Sequence, residues 1–425
     1  MVSSVRTYSG LIIVVPIVIG AFLSGIVYLS EGSAIPLTLF QMALLGGFLL
    51  FVLNKIVNRD LELDLYGVEL EYILLLALIF FSLIYSPNRD IGLFYTIRFI
   101  TLLSMTYLIY NSVNTVSELI SIIKVIIVIA CIVALKSIYD AYSNPEIIAF
   151  NYLNEGKKLM RTSGVEADPN VFAIGFSMPF MLLLSYLSSA KSSINKLLLS
   201  VGLAVILGAV LVTYSRSTWV AFFIGGGIIL KYHKNYTIII VAAVLVLISI
   251  IASESIQAIF ISIWQRMKDI FAGSDDDSSN IRILLFIGAF KMFLDSYMLG
   301  VGFQGFSTHF QHYYTKQETI GIYEPHNEYY KFLSELGFIG FVLFIMILTK
   351  FIKVGLSNLH TRNDGEKVIA IALLCSLISY FIFYIFYSGM LYNSLFFINI
   401  SLLFVLRKIV QKNALNPAIN SEKFL

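Results

Sequence analysis

The chain alternates between long apolar runs and short polar connections. Because spanning the hydrocarbon core of a bilayer takes about 20 apolar residues, we expect about twelve transmembrane helices. Their expected bounds are 9–30, 35–54, 69–86, 91–112, 116–137, 171–189, 196–213, 217–232, 235–252, 328–351, 367–388 and 392–408. The pattern therefore predicts an all-α polytopic membrane protein.

Two longer polar segments interrupt the apolar runs, at 138–170 and 253–327. Within the second, the apolar residues of 254–271 repeat at helical spacing, which suggests a helix lying along the membrane surface. An acidic link follows, and Asn280 is then the expected N-cap of a helix over about 281–297. The second polar segment is therefore predicted to be a large external loop containing surface helices.

These features divide the chain into four regions. The first holds N-terminal transmembrane helices and an external loop, and the second holds transmembrane helices around Arg216. The third is the large external loop, and the fourth holds the C-terminal transmembrane helices and a tail. The four regions cover 1–170, 171–252, 253–327 and 328–425.

Lysine and arginine are concentrated in alternate connections, on the side that also carries the N-terminus. Cytoplasmic loops of membrane proteins carry an excess of these residues. We therefore expect both termini in the cytoplasm and both long polar segments on the outer face.

Composition supports a membrane protein and excludes several other classes. The chain is 58% hydrophobic and 13% charged, whereas a soluble domain is about 25% charged. The net charge is +3 without a basic stripe, so a nucleic-acid partner is not expected. Cys131 and Cys375 both lie in apolar runs, where neither a disulfide framework nor a cysteine metal site is expected.

A candidate for proton chemistry is His326, in Pro325-His326-Asn327 at the point where the large polar segment enters an apolar run. An imidazole has a pKa near working pH and can accept a proton from a hydroxyl. The alternative is an interfacial histidine with its hydrogen bonds satisfied and no catalytic role.

Two arginines in the expected outer region are candidates for anion binding. Arg216 lies between two apolar runs, and a guanidinium binds phosphate oxygens through two parallel hydrogen bonds. The alternative for Arg216 is an interfacial anchor beside Trp219. Arg282 lies at the expected start of a helix, where anions are favoured, although solvation of an exposed first turn explains it equally simply.

Further polar residues are candidates for the same outer binding site. Arg266 lies on the expected surface helix, where contact with anionic lipid head groups is the alternative role. Arg161 could add to an outer anion site. Asp168 and Glu166 could bind a sugar hydroxyl or could simply form a turn before the apolar run.

Two further charges, Arg98 and Lys124, lie inside apolar runs. A charged side chain at membrane depth usually faces a cavity or a partner. Transport and the binding of a lipid phosphate are both possible functions for such residues.

The sequence contains no recognisable motif for a metal or a cofactor. His309 and His312 are close in sequence, but no acidic ligand stands at a recognisable spacing. The chain has no P-loop and no dinucleotide-binding fingerprint. We therefore expect no metal site and no cofactor.

Four segments together resemble one known family. They are Arg161 to Asn170; Tyr214-Ser215-Arg216-Ser217-Thr218-Trp219; Ser279-Asn280-Ile281-Arg282 with Gly300-Val301-Gly302 and Phe306; and Pro325-His326-Asn327-Glu328-Tyr329 with Glu335-Leu336-Gly337 and Gly340. In this order they resemble the motifs of the O-antigen ligase/polymerase superfamily, which includes WaaL-type ligases and Wzy-type polymerases. Ser217 is a departure, because the family has glycine there.

The resemblance implies a membrane glycosyltransferase of the GT-C type in the bacterial inner (cytoplasmic) membrane. Its donor would be a glycan linked to undecaprenyl diphosphate, and neither a metal nor a nucleotide would be needed. Ligases of the family transfer the glycan to lipid A-core, and polymerases transfer it to the next lipid-linked repeat. Membrane lipids, a chain-length regulator and other polysaccharide-assembly proteins are the implied partners.

The resemblance also implies roles for individual residues. Arg216 and Arg282 would hold the donor diphosphate, with Arg266 as a further candidate, and His326 would take the proton of the acceptor hydroxyl. Further candidates for substrate binding are Arg161, Asn327 and Tyr329.

The favoured hypothesis is a Wzy-like polymerase acting with inversion, and a WaaL-type ligase is the alternative within the family. A transporter or flippase of lipid-linked sugars is the alternative from another class, and a non-catalytic assembly partner is a third. A transporter would show paired halves with broken helices in matching positions, whereas the large external loop makes the two halves of this chain unequal.

Overall fold

The computed structural model describes residues 2–23, 38–58, 62–143, 152–154, 157–159, 168–235, 277–313 and 324–415. The first half of the chain forms helices α1 to α9. Their bounds are α1 Val2–Phe22, α2 Leu39–Val57, α3 Glu69–Leu83, α4 Arg89–Ser112, α5 Val116–Ser143, α6 Pro169–Gly175, α7 Ser177–Ser189, α8 Ser193–Val212 and α9 Arg216–His233.

The second half continues with α10 to α14. Their bounds are α10 Asp277–Asp295, α11 Phe306–Tyr313, α12 Glu328–Asn358, α13 Asp364–Phe383 and α14 Ser394–Leu415, with a short 3-10 turn at Met390–Tyr392. Strands β1 (Tyr152–Asn154) and β2 (Lys157–Leu159) form a small antiparallel hairpin in a segment where no strand was predicted.

Eight helical segments in the described part of the chain are long and apolar enough to cross a membrane. They comprise α2, α4, α5, the pair α6–α7, α8, α12, α13 and α14, while Gly10–Phe22 is a shorter apolar helix. The prediction of an all-α polytopic membrane protein is confirmed. Each predicted span except 235–252 overlaps one or two described helices, whereas 24–30, 35–37 and 236–252 lie outside the described residues.

The helices divide into a buried centre and a perimeter. Helix α13 packs against α7 and α9, and α14 packs against α4. In the membrane-crossing window of α13, 72% of the residues are buried, against 22% in α2 and in α8. Since lipid tails are as apolar as leucine, the exposed leucines and phenylalanines of α2 and α8 are suited to a lipid-facing surface.

Several helix boundaries differ from the predictions. The described part of helix α10 is Asp277–Asp295, so Asn280 lies inside the helix and the prediction that Asn280 is the N-cap was wrong. The predicted run 171–189 is divided at Phe176 into α6 and α7.

Contacts between the connections of the helices define two ends of the bundle. We call the end formed by 84–88, 213–215, 324–327 and 384–393 the site end, and the end formed by 62–68, 113–115 and 359–363 the opposite end. At the site end, Asn88 donates hydrogen bonds to the Gln304 carbonyl and the Thr308 hydroxyl. At the opposite end, the Lys350 ammonium lies 2.6 Å from the Glu71 carboxylate.

Candidate active site

The start of α12 is fixed to the end of α13. Asn327 is the N-cap of α12, and its side-chain oxygen accepts a hydrogen bond from the Tyr330 N–H at 3.0 Å. The Asn327 amide donates to the Ile385 carbonyl at 2.7 Å, and the Glu328 N–H donates to the Tyr384 carbonyl at 2.9 Å. These bonds hold the backbone that carries His326 in one position.

His326 occupies a left-handed backbone conformation, with a φ of 48°. This conformation is uncommon for a residue other than glycine, and such residues cluster at functional sites. The imidazole is half-buried, and its ring centroid lies 5.9 Å from that of Tyr387.

The charges around His326 adjust its proton affinity. Burial lowers the pKa of the imidazole below 6.5, and the positive charge of Arg282 lowers it further, while Glu324 and Asp168 oppose both effects. A pKa below the usual value leaves the imidazole neutral near pH 7, which is the form that can accept a proton.

Arg282 reaches this region from α10, which packs against α12. One turn further along α10, the ring of Phe286 lies 4.7 Å from the ring of Tyr330. The Arg282 side chain is exposed, and its charge acts on His326. The structure therefore brings these two predicted residues together although they lie far apart in sequence.

Arg216 is the first residue of α9 and lies at the same end of the bundle. Helix α9 packs on α13, where the Ser379 hydroxyl donates to the Ala221 carbonyl at 3.0 Å. Since the two helices are antiparallel, Arg216 and Tyr384 both lie about 7 Å from that bond toward the site end. Tyr214, two residues before Arg216, has a left-handed φ of 52°, so the chain turns sharply into α9.

The buried Lys331 pairs with a partly exposed carboxylate close to His326 in sequence. The Lys331 ammonium lies 2.9 Å from the Glu324 carboxylate, which also accepts a hydrogen bond from the Ser388 hydroxyl at 3.2 Å. Burial raises the pKa of Glu324, but the positive charge and hydrogen bond of Lys331 outweigh this and lower it below the usual value. Glu324 is therefore a carboxylate near pH 7.

Two further carboxylates of α12 accept hydrogen bonds from backbone groups. Glu328 accepts from the Gly389 N–H at 2.5 Å, and Glu335 accepts from the Phe306 N–H at 3.3 Å. Both glutamates are buried. Buried polar groups are stable where they are hydrogen-bonded, so these glutamates connect the loops before α11 and α14 to α12.

The two glycine motifs form one structural unit. Helix α12 is kinked at Gly337, where φ is 67° and ψ is −163°. The Val301 and Gly302 N–H groups donate to the carbonyls of Ser334 and Glu335. A Cβ on Gly337 would lie 2.2 Å from the Met298 carbonyl oxygen, so the close approach of the two segments requires glycine there.

The remaining predicted residues differ in their surroundings. The Tyr329 hydroxyl donates to the Phe381 carbonyl at 3.2 Å, between α12 and α13. The Asp168 carboxylate caps α6 by accepting from the Asn170 and Val171 N–H groups. The structure does not describe Arg161, Glu166, Arg266 or the expected helix 254–271.

The sequence analysis did not identify Glu324 and Lys331 as candidates for the site. Their signal was present, because Lys331 stands in a predicted membrane helix and Glu324 precedes that helix by four residues. Arg98 lines a small cavity, and Lys124 is exposed. Within the described residues, no group of three or more His, Cys, Asp or Glu side chains could hold a metal ion.

Comparison with known proteins agrees with the motifs. The family model described as O-antigen ligase matches residues 201–345 of this chain. That range runs from α8 into α12 and contains Arg216, Arg282 and His326. The match supports the O-antigen ligase/polymerase superfamily and confirms the resemblance found in the motifs. No curated protein matches the chain.

Proposed function

We propose that this protein is a membrane glycosyltransferase of surface-polysaccharide assembly. It transfers a glycan from an undecaprenyl-diphosphate-linked donor to a hydroxyl of a glycan acceptor, as a Wzy-like O-antigen or exopolysaccharide polymerase. The observation that carries the proposal is the position of His326 within electrostatic reach of Arg282, at the end of the bundle where Arg216 begins α9. An imidazole base at the same end of the bundle as two arginines is suited to the transfer of a glycan from a diphosphate carrier.

In the proposed step, the neutral His326 imidazole accepts the proton of the acceptor hydroxyl. The acceptor oxygen attacks the anomeric carbon from the face opposite the leaving group, so the configuration inverts. The bond between the anomeric carbon and the diphosphate oxygen breaks, and its electron pair remains on the diphosphate.

The arginines act on the leaving group. Negative charge grows on the diphosphate as its bond to the sugar breaks, and guanidinium groups fixed in a poorly hydrated site stabilise that charge most strongly in the transition state. Arg216 and Arg282 have this role in the proposal, with Arg266 as a further candidate. Positive side chains thereby supply the charge stabilisation that a metal ion supplies in other transferases.

The proposal places the protein in the bacterial inner membrane, with both termini in the cytoplasm and the site end on the outer face. A chain-length regulator and other assembly proteins are its proposed partners. A WaaL-type ligase is the second candidate, because the matching family model is described as O-antigen ligase. The two candidates differ in the acceptor that they use.

Purified protein incubated with a lipid-linked oligosaccharide repeat tests the proposal. We expect ladders of longer lipid-linked glycan from the wild type and none from His326→Ala or Arg216→Ala. His360→Ala and Arg362→Ala are matched controls, because both side chains are exposed at the opposite end, and they should retain activity. Transfer that requires added lipid A-core indicates the ligase. Absence of transfer to either acceptor, with flipping of lipid-linked sugar retained, would refute the enzyme and favour a transporter.

A further inference from the structure

Arg98 is a charged residue inside a helix that crosses the membrane. It lies in α4, about 13 Å along the helix axis from its first residue at the site end. The side chain is exposed and makes no hydrogen bond or ion pair with any residue that the structure describes. Charged side chains at membrane depth almost always face a cavity or a partner and mark substrate pathways. Among the residues that the structure describes, Arg98 has no anionic partner, and an anionic ligand would supply one.

The Arg98 side chain lines a cavity of about 50 Å³ where α4 meets α5, α6 and the start of α14. The opposite walls include Phe172 of α6 and the segment Tyr392-Asn393-Ser394. Cavities that hold a whole ligand usually measure about 300–1,000 Å³. This cavity is therefore suited to one small polar group of a larger molecule, with the rest of that molecule outside it.

The cavity adjoins the candidate active site through shared residues. Tyr392 lines the cavity, accepts a hydrogen bond from the Gln304 amide, and places its ring 5.6 Å from the Lys331 ammonium. Phe172 lies one turn after Asp168, whose charge acts on His326. A molecule held at Arg98 would therefore lie beside Tyr392 and the first turn of α6, which also border the candidate active site.

We propose that Arg98 binds the diphosphate of the polyprenyl-linked substrate as that lipid enters from the bilayer beside α4. A guanidinium matches phosphate oxygens in geometry and stays charged at any working pH. A polyprenyl chain remains among the lipids while its phosphates reach the cavity. The choice of a polyprenyl diphosphate as the lipid phosphate rests on the proposed function, whereas the lack of an anionic partner for Arg98 among the described residues does not.

Binding of undecaprenyl diphosphate to the purified full chain tests this inference. The protein is placed in nanodiscs of phosphatidylcholine, and bound lipid is titrated by native mass spectrometry. We expect Arg98→Gln to weaken binding by about tenfold or more, because a charge-assisted hydrogen bond is lost. Arg98→Lys should show an intermediate loss. Lys124→Gln is the matched control, since Lys124 is an exposed charge in the neighbouring span, outside this cavity, and its affinity should be unchanged.

Two comparison lipids identify the group that is bound. Undecaprenol has the same chain without phosphate, so its binding should not change in Arg98→Gln. Phosphatidylglycerol is an anionic lipid of the bulk membrane, and it should compete poorly. Wild-type affinity for undecaprenyl diphosphate in Arg98→Gln, an equal loss for undecaprenol, or equally strong competition by phosphatidylglycerol would each overturn the inference. If Arg98→Gln does not fold, Arg98→Lys must still bind more weakly than the wild type.

The same titration separates this inference from the proposed function. A wild type that binds undecaprenyl diphosphate through Arg98 but transfers glycan to no acceptor would refute the transferase and leave the Arg98 site standing. Transfer that depends on His326 and Arg216 while Arg98→Gln binds the donor like the wild type would refute the Arg98 site alone.

Discussion

The ammonium of Lys331 lies 2.9 Å from the carboxylate of Glu324, and the lysine side chain is 4% exposed whereas that of the glutamate is 45% exposed. The pair therefore connects the buried interior of α12 to the segment that carries His326. Ser388 donates to the same carboxylate, so the pair also joins that segment to the loop after α13. Stability and the position of His326 are consequently linked.

Substituting Lys331 by methionine should lower stability more than the loss of an exposed ion pair does. Lys331 lies near three glutamates, of which Glu328 and Glu335 are buried, and removing the positive partner of buried acidic groups is strongly destabilising. We expect a clear fall in the melting temperature of the purified protein in detergent. Lys367→Met is the matched control, because the Lys367–Asp364 pair at 3.0 Å is more exposed and exposed pairs contribute about 0–1 kcal/mol. Equal shifts in the two variants would contradict this explanation.

The pH dependence of transfer should follow the protonation of His326. Because burial and then Arg282 lower its pKa, the neutral base is fully present near pH 7 and is lost as the pH falls through a value below 6.5. We expect kcat/KM to decrease on the acid side with this midpoint. A profile without an acid limb would contradict the assignment of His326 as the base.

Substituting the charged residues near His326 should shift the acid limb of the pH profile of kcat/KM in opposite directions. Arg282→Gln removes a positive charge that lowers the pKa of His326, so the acid limb should shift to higher pH. Glu324→Gln removes a negative charge that raises this pKa, so the limb should shift to lower pH. The opposite signs serve as an internal control, since a general loss of structure would not produce them.

The sequence predicted the helices and the motif residues better than it predicted their connections. Long apolar runs predict spans because backbone groups in lipid must be bonded internally, and each predicted span except 235–252 overlaps one or two described helices. The effect of the Arg282 charge on His326 could not be derived from spacing, because it depends on how α10 packs on α12. The resemblance supplied both residues but not the reason for their proximity.

Other features were visible in the sequence but ambiguous. Asn327 was a candidate for substrate binding, and the structure gives it two bonds within the protein. Glu335 and Gly337 were predicted only as parts of a motif, and the packing explains why they are present. The Glu335 carboxylate accepts a hydrogen bond from the Phe306 N–H, and Gly337 permits the kink in α12. Lys331 attracted no attention because a lone lysine near a helix start is usually solvated, whereas here the neighbouring loops bury it.

Gly337→Ala should disrupt the unit formed by the two glycine motifs. A Cβ there would approach the Met298 carbonyl to 2.2 Å, and the backbone conformation is one that alanine rarely adopts. We expect a large fall in melting temperature together with loss of transfer. Gly227→Ala is the control, because its added Cβ meets no atom within 4 Å and alanine favours a helix. A wild-type melting temperature and wild-type transfer in Gly337→Ala would contradict this prediction, because they would show that the Met298 segment can move away without loss of stability or activity.

Asn327→Ala should reduce both stability and transfer, because the side chain caps α12 and anchors it to the Ile385 carbonyl. Loss of an N-cap costs about 1 kcal/mol, and loss of the hydrogen bond to the Ile385 carbonyl costs about 1 kcal/mol more. Asn363→Ala is the matched control, since Asn363 caps α13 at the opposite end by accepting from the Gly365 N–H at 2.9 Å. That variant should lose stability only through its cap and should transfer glycan normally. If Asn327→Ala instead keeps the wild-type melting temperature while KM for the donor rises, Asn327 binds substrate directly, and the rigid attachment of His326 must come from the other contacts.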